Sequence, residues 1–283
     1  MKNNRSNPIP FIFMFYLVCF GFRTVEYFFI RTDQTIIGEA FIHKLIGIIL
    51  LAASLHFFKY TWEDICFQSR YVLKNTIIGL LLGGGVFTVA YFTELIMQTS
   101  MGNTPSLQFY ITSYAIQGNR NMQGGTLFIL LCIVGNIINV IMEEGVFRGL
   151  FVRLMEEKYS FAKACVLSSF LFGVWHIIQP IRNVFDGEQS LNGAIMSALL
   201  LIVTSMLLGV QYCMLLKLTG SLWAGMAAHF VNNTIINLLH VSTNSGADEL
   251  QFIRIAIAQT LSFIIVLIFF LFQRFRKRTR VIG

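Results

Sequence analysis

The apolar residues of this chain come in runs about twenty residues long, the length a ~30 Å hydrocarbon core requires of a helix rising 1.5 Å per residue. Short polar stretches separate the runs. Only 12% of the 283 residues are charged and 55% are hydrophobic, against about 25% charged in a soluble domain. No soluble domain of useful size fits between the runs. These features predict an all-α, polytopic transmembrane helical bundle of about eight spans, forming a single domain over residues 1–283.

The spans are expected at about 10–30, 40–58, 75–97, 126–158, 160–179 (stopped by Pro180), 191–216, 222–241 and 252–272. Eight spans put both termini on one side. On that side lie fifteen of the 21 Lys and Arg residues, as the positive-inside rule expects of a cytoplasmic face. The orientation read is therefore N-in, C-in. The net charge of +7 sorts by membrane side, so it does not argue for a nucleic-acid partner. The N-terminus resembles a signal peptide but lacks a small-x-small cleavage site, so it reads as an uncleaved first span.

Within this frame some features have plain readings. Five cysteines show no paired spacing and read as small buried hydrophobes. Arg23 and Glu26, at i,i+3 in the first span, read as a local pair or a contact with a neighbouring helix. Gly83, Gly84 and Gly85 allow close helix approach or mark a kink. Residues 98–125 form the longest polar segment, a lid or a plain loop. Arg182 to Ser190 reads as a polar turn.

Other polar residues are harder to accommodate. Glu143, Glu144 and Arg148 end the apolar run from Thr126, where an ionised group costs roughly 2.5–3.5 kcal/mol at the bilayer centre. On a helix Glu144 and Arg148 are i,i+4 and can pair along one face. Glu143 points about 100° away, free for chemistry. His176 lies late in the fifth span. His229 and Asn233, i,i+4 in the seventh, share one face. Each element alone has a bland reading: an intramembrane histidine is more often a packing residue, and a His/Asn pair can simply tie helices together. Their joint occurrence on three spans implies a polar pocket inside the bundle.

The sequence resembles the CAAX prenyl-protease and bacteriocin-processing family of intramembrane endopeptidases. The Glu-Glu-x-x-x-Arg motif matches Glu143, Glu144 and Arg148. Phe-x-x-x-His matches Phe172 and His176, and His-x-x-x-Asn matches His229 and Asn233. The catalytic core is thereby expected at about 126–241.

Resemblance and chemistry together imply peptide-bond hydrolysis at the membrane. Glu143 and His176 would orient and deprotonate a water, and His229 and Asn233 would stabilise the oxyanion. Glu144, Arg148 and Phe172 would support the site, with Trp175 also lining it. No cofactor is favoured. A zinc version on Glu143, His176 and His229, with an open position for water, stays open as the alternative.

The substrate is expected to be a peptide or protein, with a prenylated C-terminus and a peptide pheromone or bacteriocin precursor both open. Membrane lipid is the other partner, and the chain style points to a bacterial plasma membrane. The rival classes are a non-catalytic scaffold or bacteriocin-immunity protein on the same fold, and a transporter. No inverted repeat or pair of broken helices supports a transporter.

Overall fold

The computed structural model describes residues 7–35, 37–111 and 125–282, with side chains to residue 276. Helix α1 (Pro8–Val25) runs into a π turn (Glu26–Ile30), and α2 (Ile42–Phe58) and α3 (Val72–Ser100) follow. After strand β1 (Ser106–Phe109) comes α4 (Thr126–Glu143), continued by a π-helical stretch (Glu144–Phe151) and α5 (Val152–Glu156). Then come α6 (Phe161–Trp175), α7 (Ile178–Phe185), α8 (Leu191–Thr219), α9 (Trp223–Leu238), strand β2 (Leu239–Ser242) and α10 (Gln251–Ile282). The chain is an all-α polytopic bundle. Among the described residues, six helical stretches are long and apolar enough to cross a membrane. The other two expected spans, α2 and α9, are helices of 17 and 16 residues.

The helix ends follow local chemistry. Ser160 and Ser190 cap α6 and α8, each side chain accepting a backbone N–H three residues on, which satisfies an orphan donor of the first turn. Gly220 ends α8 at φ 68°, a left-handed conformation that glycine adopts without a Cβ penalty. The fifth span departs from expectation. Helix α6 stops at Trp175, and Pro180 lies in the first turn of α7, where its missing N–H is one the turn leaves unbonded anyway. The break puts His176 at a helix end, not within a continuous helix.

Arg182 is likewise no loop residue. It is fully buried, donating to Asp33 at 2.9 Å and Asp186 at 3.1 Å, and so ties the segment after α1 to α7. Arg254, in the first turn of α10, is also fully buried, paired with Glu94 and Asp248.

Close packing sets the position of α9. A Cβ on Gly79 of α3 would stand 2.3 Å from the Ala224 carbonyl oxygen and 2.7 Å from the Ala227 Cβ, so the two backbones meet where only glycine fits. Of the glycine triplet, only Gly83 packs against α9, at Val231; Gly84 and Gly85 face open space.

An aromatic core lies between α1, α2, the π stretch and α6, with Phe15, Phe147, Phe151, Phe172 and Trp175 at its centre. The long polar segment contributes β1, which pairs antiparallel with β2 in the register Ser106↔Ser242 to Phe109↔Leu239. The rest of that segment's expected lid or loop, residues 112–124, lies outside the described residues.

Candidate active site

Every residue from Glu144 to Phe151 is buried, and the stretch carries the π geometry that recurs at functional sites. The widened turn keeps the expected pair: Arg148 Nη1 donates to Glu144 Oε1 at 3.1 Å, with both side chains buried. The guanidinium also lies 4.0 Å above the Phe172 ring. Gly209 of α8 makes room for it, since a Cβ there would come within 2.8 Å of Arg148 Nη2. Glu144 Oε1 has a second partner, His229 Nδ1 at 2.9 Å. One carboxylate oxygen thus joins the π stretch to α9. The Tyr212 ring stacks on His229 at 5.1 Å between centroids.

Glu143 has partners of its own. Oε1 accepts from the Trp175 indole N–H at 3.0 Å, and Oε2 from the Asn139 amide at 3.4 Å. His229 Nε2 lies 3.6 Å from Oε2, and Arg23 Nη1 lies 3.9 Å from Oε1. Trp175, expected to line the pocket, instead fixes the catalytic candidate's carboxylate.

His176 sits where α6 ends, with Nδ1 2.8 Å from the Phe172 carbonyl oxygen. A carbonyl can only accept, so Nδ1 carries the proton and the neutral ring has its lone pair on Nε2. Phe172 acts through its backbone as well as its ring. Asn233 accepts from Asn232 at 3.1 Å through its carbonyl oxygen, which leaves its NH₂ group as the donor to anything in the cavity.

Glu143, Phe172, His176, His229 and Asn233 line one cavity of about 450 Å³. Its polar end adds Arg23, Tyr27, Glu39 and Lys44; its apolar wall comes from Leu200, Leu201 and Leu208 of α8 and Phe252 and Ile255 of α10. Among the described residues, no group of three His, Cys, Asp or Glu side chains is arranged to hold a metal ion.

Two partners at the site escaped the sequence reading. Asn139 gave a usable signal, since it is i,i+4 to Glu143. Of the two readings of Arg23 and Glu26, a local pair or a contact with a neighbouring helix, the structure shows the second, and the two diverge. Glu26 turns to the start of α2, accepting the Ile42 and His43 N–H groups at 2.9 and 2.6 Å, along with His43 Nδ1 and Thr32. That is the place where a helix N-terminus favours a carboxylate. Arg23 turns inward to the cavity.

Fold and site together define a multi-pass membrane protein whose buried polar centre carries acid–base groups. Residues 125–235 match the family model described as type II CAAX prenyl endopeptidase Rce1-like. The segment is thus similar to the CAAX prenyl-protease and bacteriocin-processing family, a family of proteases that act on peptides or proteins. The matched segment contains Glu143, Glu144, Arg148, Phe172, His176, His229 and Asn233; Arg23 lies outside it. Searches of curated proteins and of solved structures returned no match.

Proposed function

We propose that the protein is an intramembrane endopeptidase that hydrolyses a peptide bond by metal-free activation of water. Glu143 takes a proton from the water as its oxygen bonds to the scissile carbonyl carbon, and the carbonyl π electrons move to oxygen. His176 Nε2 orients the water. Asn233 Nδ2–H and His229 Nε2–H, the latter as imidazolium held by Glu144, donate to the oxyanion. Collapse breaks the C–N bond, and Glu143 returns its proton to the leaving amine.

The observation that carries this reading is the His176 Nδ1 contact to the Phe172 carbonyl, which leaves a basic nitrogen in the same cavity as Glu143. Glu144, Arg148 and Phe172 support the site. The apolar wall favours a substrate with a lipid-like or apolar segment; a prenylated C-terminus and a pheromone or bacteriocin precursor both meet that description. The charge asymmetry supports N-in, C-in insertion, in a bacterial plasma membrane, with surrounding lipid as the other partner.

Cleavage of a fluorogenic peptide library, farnesylated C-termini included, by purified protein tests the reading against its rivals. Activity that survives EDTA and vanishes in Glu143→Gln supports it. Activity lost to EDTA and restored by zinc replaces it with the zinc version. No cleavage, with Glu143→Gln still complementing the native phenotype, replaces it with the scaffold or immunity role.

A further inference from the structure

We infer that Arg23, on the first helix and outside the family-matched segment, is a catalytic residue that donates to the oxyanion of the substrate carbonyl. This rests on the protease reading. Arg23 is 4% exposed, yet it lines the cavity. Its guanidinium carbon lies over two rings, 4.6 Å from the Trp175 centroid and 4.8 Å from the Tyr27 centroid. Nη2 donates to the Tyr27 hydroxyl at 3.2 Å, and Nε is enclosed without a partner. Nη1 makes no hydrogen bond among the described residues. Unlike Nε it keeps access to the cavity, and it stands 3.9 Å from Glu143 Oε1. That distance exceeds a hydrogen bond, so Nη1 is not spent on the carboxylate beside it.

The other donors leave a need for such a group. His229 has Nδ1–H committed to Glu144, so its Nε2 donates only when the ring is charged. Asn233 offers a neutral amide. Arg23 is charged at every working pH, is already clamped by its aromatic neighbours, and flanks Glu143 on the side opposite His229. A carbonyl whose carbon faces a water on Glu143 would have its oxygen within reach of Nη1. Charge appears on that oxygen only as the water adds, so this contact strengthens in the transition state and not before.

The rival account is that Arg23 acts only through Glu143. The two separate in a Glu143→Gln background, where the carboxylate charge is gone. The probe is a peptide phosphonate, which presents a tetrahedral anion, alongside its uncleaved parent peptide. Arg23→Gln is expected to lower kcat on the peptide about 100-fold, the usual cost of one oxyanion donor, with KM within about twofold. In the Glu143→Gln background it should weaken phosphonate binding by a comparable factor, about 100-fold, and leave parent-peptide binding unchanged. Arg23→Lys, which keeps the charge, should recover part of both losses and serves as the variant of record if Arg23→Gln does not fold. Phosphonate affinity indifferent to either substitution, with wild-type cleavage intact, overturns the role of Arg23 alone. A wild type that neither cleaves peptide nor binds phosphonate overturns the protease reading and this inference with it.

Discussion

Glu144 Oε1 is the atom on which the two halves of the site meet, accepting from both Arg148 and His229. Replacing it by Gln removes the charge both partners face and leaves Arg148 buried without a carboxylate. Such a break costs about 3–5 kcal/mol, so Glu144→Gln should lower thermal stability in detergent as well as activity. Glu143→Gln should differ. Its neutral amide can still meet Trp175, so activity should fall at least ~100-fold with the melting temperature nearly unchanged.

Asp248, in the loop before α10, gives a pH prediction. Burial raises its carboxyl, but His240 and Arg254 outweigh burial and hold it below the usual carboxylate range. The contacts are His240 Nδ1 at 2.5 Å and Arg254 Nη2 at 2.8 Å. A depressed carboxyl stabilises the fold above its unfolded value, about 3.9, and that stabilisation disappears as pH falls through the lower folded value. Wild type should therefore lose stability below about pH 4. Asp248→Asn should be less stable at neutral pH and should flatten that acid limb, as read by melting temperature against pH.

Among the elements, α9 carries His229 and Asn233 and depends on its contact with α3. Gly79→Ala places a methyl group against backbone, where neither side can turn away, and overpacking of this kind costs about 1–3 kcal/mol. The variant should melt lower and lose activity together, because α9 must shift. Gly84→Ala, facing open space, is the matched control and should change neither.

The starts of α6 and α8, expected near 160 and 191, were legible in the sequence, because a helix end set by a serine cap depends on one or two adjacent residues. The break at His176 and the π stretch after Glu143 were not. Pro180 gave the sequence a stop, but the break falls four residues earlier, at the residue whose carbonyl the proline ring crowds, and the Ile65 carbonyl oxygen that stands 3.2 Å from where a Gly149 Cβ would be packs on the π stretch from a distance in sequence that no local propensity records.

At the scale of the whole molecule, runs of twenty apolar residues made the bundle readable, and polar residues inside those runs made the site readable. Glu143, His176, His229 and Asn233 do line one cavity. Spacing supplied the Glu144–Arg148 pair; what it could not supply was pairing between helices. Arg23 and Glu26 look like partners at i,i+3, yet one faces the cavity and the other caps α2. Arg182 looks like a loop charge, yet it is buried in ion pairs, as is Arg254. A cation's partner on another element is chosen by the packing of whole helices, which spacing along one helix cannot reveal.

The central claim is that this packing assembles a peptidase from α4, α6 and α9. The direct test is peptide cleavage by the purified full chain in liposomes, comparing wild type, Glu143→Gln and His176→Ala with and without EDTA. The account predicts wild-type cleavage that survives EDTA and is lost in both variants while each stays folded. Cleavage retained by a folded Glu143→Gln protein would contradict it.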